Sequence, residues 1–110
     1  MKSDLANKSC KAYSAGSSPL RGDALRLMQD QLDDHWKVVG DQRLQRHFKF
    51  PNFIDALQFT NRVGEIAEQQ DHHPDIYLSY GEVRVQLSTH SAGGLTESDF
   101  IVAAKIDQIN

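Results

Sequence analysis

The sequence predicts an α+β domain in the order α-β-β-α-β-β-α, a four-stranded antiparallel sheet with its helices packed on one face. Three observations lead there. The 110 residues suffice for one domain and not for two. Two pairs of short stretches alternate apolar and polar residues, each pair joined by a glycine-containing turn. Segments with an apolar stripe at helical spacing precede, separate and follow those pairs. Adjacent hairpins with helices between them pack as an antiparallel sheet covered on one side.

Residues 1–20 are rich in Ser, Lys, Ala and Gly without any period, and read as a flexible arm before a single domain over 21–110. A first helix is predicted over 23–33, where Leu25, Met28 and Leu32, with Ala24 and Leu27 beside them, share a face. Trp36 and Val38 flank Lys37 in a short strand, and Gly40-Asp41 turns the chain. Leu44, Phe48 and Phe50 then alternate with Gln45, His47 and Lys49, with Arg46 interrupting the apolar side.

Pro51 stops that strand and Asn52 caps a second helix over 53–70. Its stripe is Phe53, Leu57, Thr60, Val63, Ile66 and Ala67, widened by Ala56 and Phe59. Gly64 inside it points to close packing against a neighbour. Pro74 ends the helix, because it disfavours helical geometry at His73. A hairpin follows, from Ile76 to Tyr80, around Gly81, and from Glu82 to Thr89. Gly93-Gly94 breaks the second arm, and Thr96 with Asp99 opens a last helix ending near Ile109 in the manner of a capping box. Edge strands in such a sheet invite pairing between subunits.

Composition narrows the function. Hydrophobic residues are 39% and charged residues 25%, ordinary for a soluble globular protein. The formal net charge of −3, with no basic stripe, argues against nucleic-acid binding. Cys10 has no partner for a disulfide and there is no Cys-x-x-Cys pair. No signal-peptide run and no stretch of the ~20 apolar residues of a membrane helix is found, so a cytoplasmic protein is expected. One modest core leaves little room for a deep private pocket, which points to a shallow site or one shared with a second subunit.

The chemistry-bearing residues are histidines. His72 and His73 follow the second helix, and His90 lies just past the last strand on the parity that leaves the core. Glu68 stands four residues before His72, one helical turn, and is placed to hold that ring's tautomer. Each of these residues also has an ordinary structural explanation. A His-His pair at a helix end is often surface polarity, Asp99 is accounted for as a helix cap, and Tyr77 and Tyr80 suit a hairpin. On the residues alone the question stays open.

The run Glu68-x-x-x-His72-His73-Pro74, followed by Tyr80, His90 and Asp99, resembles the signature of the pterin-4a-carbinolamine dehydratases. Gly93-Gly94-Leu95-Thr96 with Asp99-Phe100, Phe48-x-Phe50 and Asn61-Arg62-Val63 are similar to further segments of that family, so the likeness covers about residues 20 to 107. The resemblance implies dehydration of 4a-hydroxytetrahydrobiopterin to the quinonoid dihydropterin, in recycling of the pterin spent by aromatic amino acid hydroxylases. It implies His72 and His90 as an acid and base pair, His73 holding the pterin, Glu68 orienting His72, and Asp99 supporting the site or the helix start. Tyr80 and Ser91 fall at substrate-side positions of the same pattern. No metal, nucleotide or redox cofactor is implied, and a homodimer or homotetramer is. Ile76 stands where many animal members carry Trp, and Ser91 where many carry Asp, departures that bear on substrate preference.

Three other readings fit the same residues. The chain could be a dimerisation module, with Phe100, Ile101, Ala104 and Ile106 of the last helix forming the subunit interface. The three histidines with Glu68 could ligate zinc, although adjacent rings at 72 and 73 point apart in most backbones. The same pocket could also serve another pterin, such as a molybdopterin.

Overall fold

The structure is a computed structural model that describes residues 4–110. Seven elements follow the predicted order: α1 (Gly22–Gln29), β1 (Lys37–Val39), β2 (Arg43–Lys49), α2 (Phe53–Gln70), β3 (Asp75–Ser79), β4 (Glu82–Leu87) and α3 (Glu97–Ile109). The two hairpins join through their long strands, so the antiparallel sheet runs β1-β2-β4-β3. Leu44 sits opposite Leu87 and Phe48 opposite Val83, which puts the apolar members of both strands on one face. Those residues and Val85 are buried in one core cluster with residues of α2 and α3. The other face is polar. There Lys49 pairs with Glu82 at 2.9 Å and Arg84 lies 4.0 Å from the centre of the Tyr77 ring.

The α1 helix ends at Gln29, short of the expected 33, with the Asp30 amide making its last helical bond to the Arg26 carbonyl. The amides of Gln31 and Leu32 bond three residues back instead, to Met28 and Gln29, and these tighter turns still bury Leu32. The α2 helix matches its predicted span, with the Asn52 side chain accepting from the Asp55 amide at 2.8 Å. Its buried stripe is Ala56, Phe59, Val63 and Ala67, rotated from the predicted one, and Phe53 is exposed. Aromatic packing sets the rotation. Phe59 lies 4.6 Å from Phe48 and 5.1 Å from Phe50, ring centre to ring centre.

Gly64 is not held by a close neighbour, since a Cβ there would meet nothing within 4 Å. Gly64→Ala is therefore expected to stabilise the fold by about 0.5–1 kcal/mol, through helix propensity alone. Urea denaturation would show it as a higher midpoint at unchanged slope.

The last helix turns its apolar residues inward. Phe100, Ile101 and Ile106 are buried in this chain's own core and Ala104 is half-buried against it, so the first three are not free to form the subunit interface of the dimerisation-module reading. The segment before residue 20 also has a place. Leu5 belongs to the core, the Ala6 carbonyl accepts from Lys105 Nζ at 2.8 Å, and the Leu20 amide donates to the Leu95 carbonyl at 2.7 Å.

Arg46 explains its interruption of the apolar side of β2. It faces the core side beside Phe48 and reaches Asp107 at 2.9 Å, while Trp36 Nε1–H donates to the same carboxylate. Burial pushes the Asp107 carboxyl up, against the pull of Trp36 and Arg46. Arg46→Ala is expected to destabilise the fold by about 2–3 kcal/mol, by leaving that carboxylate without its cation. A carboxyl raised in the folded state costs stability as pH rises through its folded value. The deficit should thus be small at acid pH and grow toward neutrality, as urea denaturation across pH would record.

Candidate active site

The α2 helix ends in a turn that decides where two histidines go. Asp71 adopts the left-handed conformation (φ 52, ψ 42), the His72 amide bonds to the Ala67 carbonyl and the Asp71 amide to that of Glu68. This is a Schellman ending with an aspartate where glycine is usual. It reverses the chain before β3 and breaks the helical spacing at residue 72. His72 swings toward the start of α3, and His73 turns back along α2.

The second strand of the hairpin delivers His90 to the same end of the sheet. After Leu87 the backbone of Thr89 pairs with Gly94, with Thr89 N to Gly94 O at 2.8 Å. The enclosed residues His90–Ala92 form one 3₁₀ turn, which leaves Thr89 buried and His90 and Ser91 exposed. His72, His73, His90 and Ser91 then line one cleft of about 400 Å³, together with Lys11, Ala12 and Tyr13.

Asp99 lies behind the cleft, fully buried at the third position of α3. Its Oδ2 accepts from the Thr96 amide at 2.9 Å and from Thr89 Oγ1 at 2.7 Å. Its Oδ1 lies 2.6 Å from Nε2 of His72, whose side chain is 13% exposed. Thr89 has one hydroxyl proton and gives it to Asp99, so Thr96 Oγ1–H donates to Thr89 at 2.7 Å. Every acceptor site used on the carboxylate faces a fixed donor. With Nε2–H committed to Asp99, Nδ1 is the His72 nitrogen left to exchange a proton with a ligand.

The partners differ from those expected. Glu68 meets His73, at 2.6 Å between Oε2 and Nε2, and does not orient His72. The turn at Asp71 is the reason, because spacing by four residues holds only while the helix continues. Asp99 is at once helix cap and partner of His72, so the two roles weighed for it are not exclusive. Ser91 spends its hydroxyl on the Tyr13 carbonyl at 2.7 Å. Tyr80 is 70% exposed at the turn between β3 and β4, the end of the hairpin opposite the cleft, and the structure does not bring it to the histidines.

Thr89 and the Lys11–Tyr13 segment were not singled out from the sequence, and Thr96 was read there as a helix cap. A polar residue on the core parity of β4 was the available sign for Thr89, which continues the series Val83, Val85, Leu87. The arm offered none. Among the described residues, no group of three His, Cys, Asp or Glu side chains converges as a metal site. No helix is long and apolar enough to cross a membrane.

Comparison with known proteins identifies the family. Proteins of Alkaliphilus metalliredigens and Rubrobacter xylanophilus, both provisionally named pterin-4-alpha-carbinolamine dehydratases, are each 48% identical to the chain. The first match covers 96% of this chain and 95% of the relative, the second 97% and 99%. A crystal structure of a transcriptional coactivator/pterin dehydratase from Brucella melitensis superposes with a TM-score of 0.78 at 35% identity, over 84% of this chain and 98% of that one. A pterin dehydratase-like RuBisCO assembly factor of the alpha-carboxysome shares the fold, with a TM-score of 0.59 at 21% identity. Residues 18–109 match the profile described as "Pterin 4 alpha carbinolamine dehydratase", and by that match and these identities the chain belongs to this family of hydro-lyases.

Proposed function

We propose that the chain dehydrates a 4a-hydroxytetrahydropterin to the quinonoid dihydropterin, with His72 and His90 exchanging the protons. The observation that carries this reading is the pairing of cleft-lining His72 with buried Asp99, in a cleft that also holds His73 and His90. The reaction breaks the C4a–O bond and the N5–H bond, forms the C4a=N5 double bond, and releases one water. Hydroxide is a poor leaving group unless an acid protonates it as it departs, while a base takes the N5 proton.

The Asp99 carboxylate stabilises positive charge developing on His72, which supports that ring as the base. His90, exposed at the cleft, is then the acid. Each ring returns to its starting state by exchange with water. His73, held by Glu68, binds the pterin. Ser91 supports the site through the backbone of Tyr13. The protein's place would be the cytoplasm, recycling pterin for an aromatic amino acid hydroxylase. A homo-oligomer would cover the exposed edges at β1 and β3.

Stopped-flow absorbance of carbinolamine generated in situ tests the proposal. Wild-type protein should accelerate its decay well above buffer, and folded protein that gives no acceleration would end the dehydratase reading.

A further inference from the structure

The cleft has a wall that lies outside the match to the family profile. The match to that profile begins at residue 18, yet Lys11, Ala12 and Tyr13 line the cleft together with the histidines. The segment reaches this place by a series of fixed contacts. Leu5 is buried in the core, and Lys8 Nζ meets Glu97 at 2.8 Å. The Cys10 amide donates to Gln70 Oε1 at 2.9 Å, at the end of α2. The fully buried Ser98 hydroxyl accepts from the Lys11 amide at 3.1 Å and donates to the Lys11 carbonyl at 3.0 Å. Ser91, next to His90, then takes the Tyr13 carbonyl. Backbone atoms make most of these bonds, so the path is set while the side chains of Lys11 and Tyr13 are left for other work.

We infer that Lys11 and Tyr13 are substrate-binding residues, a wall on which the pterin lies while the histidines act. This rests on the dehydratase reading for the identity of the ligand. A dihydropterin, the oxidation level of the product, is a largely flat bicyclic ring with a carbonyl edge. An aromatic side chain gives such a ring a face to stack on, and an ammonium group suits a carbonyl oxygen. Tyr13 is half-buried at the cleft and packs on no other aromatic ring among the described residues, and Lys11 is exposed there. Neither needs to move a proton, so both act through affinity and not through the chemical step.

Two measurements test the wall. Titration with 7,8-dihydrobiopterin, which lacks the 4a-hydroxyl, reads binding alone. Carbinolamine kinetics read KM and kcat. Tyr13→Ala and Lys11→Ala should each weaken dihydropterin binding about tenfold, the size of one lost ring or charge contact, and raise KM alike. Their kcat should stay within about twofold of wild type, the pattern of uniform binding. Tyr13→Phe should keep the affinity of the parent. Lys11 is exposed, so its variant tests the wall without a burden on folding. Wild-type affinity in both alanine variants would overturn the inference, as would a wild-type protein that binds no dihydropterin. Binding without acceleration of carbinolamine decay would instead sink the dehydratase reading and leave the wall standing on its dissociation constants.

Discussion

His72→Ala and His90→Ala should each lower kcat for carbinolamine breakdown by about 10²- to 10⁴-fold, the range a positioned proton donor or acceptor supplies. The double variant should fall little further than the worse of the two, because protonation at oxygen and loss of the N5 proton serve the same bond rearrangement. Folding should separate the pair. His90 is exposed and outside the hydrophobic core, so its removal should leave the melting temperature near that of wild type. His72 is mostly buried against Asp99, and its loss strands a carboxylate oxygen, which should lower stability by about 1–3 kcal/mol. Thermal melts beside the stopped-flow traces would separate lost chemistry from lost fold. Full activity in either folded variant would remove that histidine from the mechanism.

Asp99→Asn should be nearly as damaging to turnover, for a reason of direction. Three donors converge on the carboxylate, from Thr96, Thr89 and His72. An amide of the same shape can accept from only one side and presents N–H on the other. If its oxygen keeps Thr96 and Thr89, its nitrogen faces His72, whose Nε2 must then accept. The ring proton moves to Nδ1, the nitrogen that should be receiving protons from substrate. A kcat loss of about 10²-fold or more is expected, with dihydropterin affinity largely kept. The imidazole ¹⁵N shifts of His72 would report the exchanged tautomer directly. Unchanged shifts and turnover would show that Asp99 serves only as a helix cap. Thr89→Val removes one donor and leaves the tautomer alone, so it should cost less turnover than Asp99→Asn.

Much of this architecture was legible in residue patterns. The alternation of Val83, Val85 and Leu87 located β4 and its inner face, and Asn52 and Pro74 bracketed α2. The order of elements followed. What a linear reading missed depends on turns and on distant contacts. The stripe of α2 was misjudged because Phe59 is drawn to Phe48 and Phe50, two aromatic rings on another element. Glu68 was matched to His72 by helical spacing, and the left-handed Asp71 ended that spacing one residue too soon. The histidines themselves were found as positions, but Asp99 as the partner of His72 required knowing that residues 27 apart meet at a helix start. Residues 1–20 carried no period, and nothing local could connect Cys10 to Gln70 or Lys11 to Ser98.

The stitching of the arm to α3 also bears on the order of assembly. Lys8 and Glu97 are 89 positions apart, and Lys11 and Ser98 are 87 apart. During synthesis the first member of each pair waits for nearly the whole domain before its partner exists. Contacts this distant in sequence also carry a large loop-closure penalty, so their formation favours late stages of folding. The sheet and α2 can gather while the cleft still lacks one side. A nascent or partly folded chain would thus present its histidines without the Lys11–Tyr13 segment that lines their cleft, and the closed cleft would arrive only with α3.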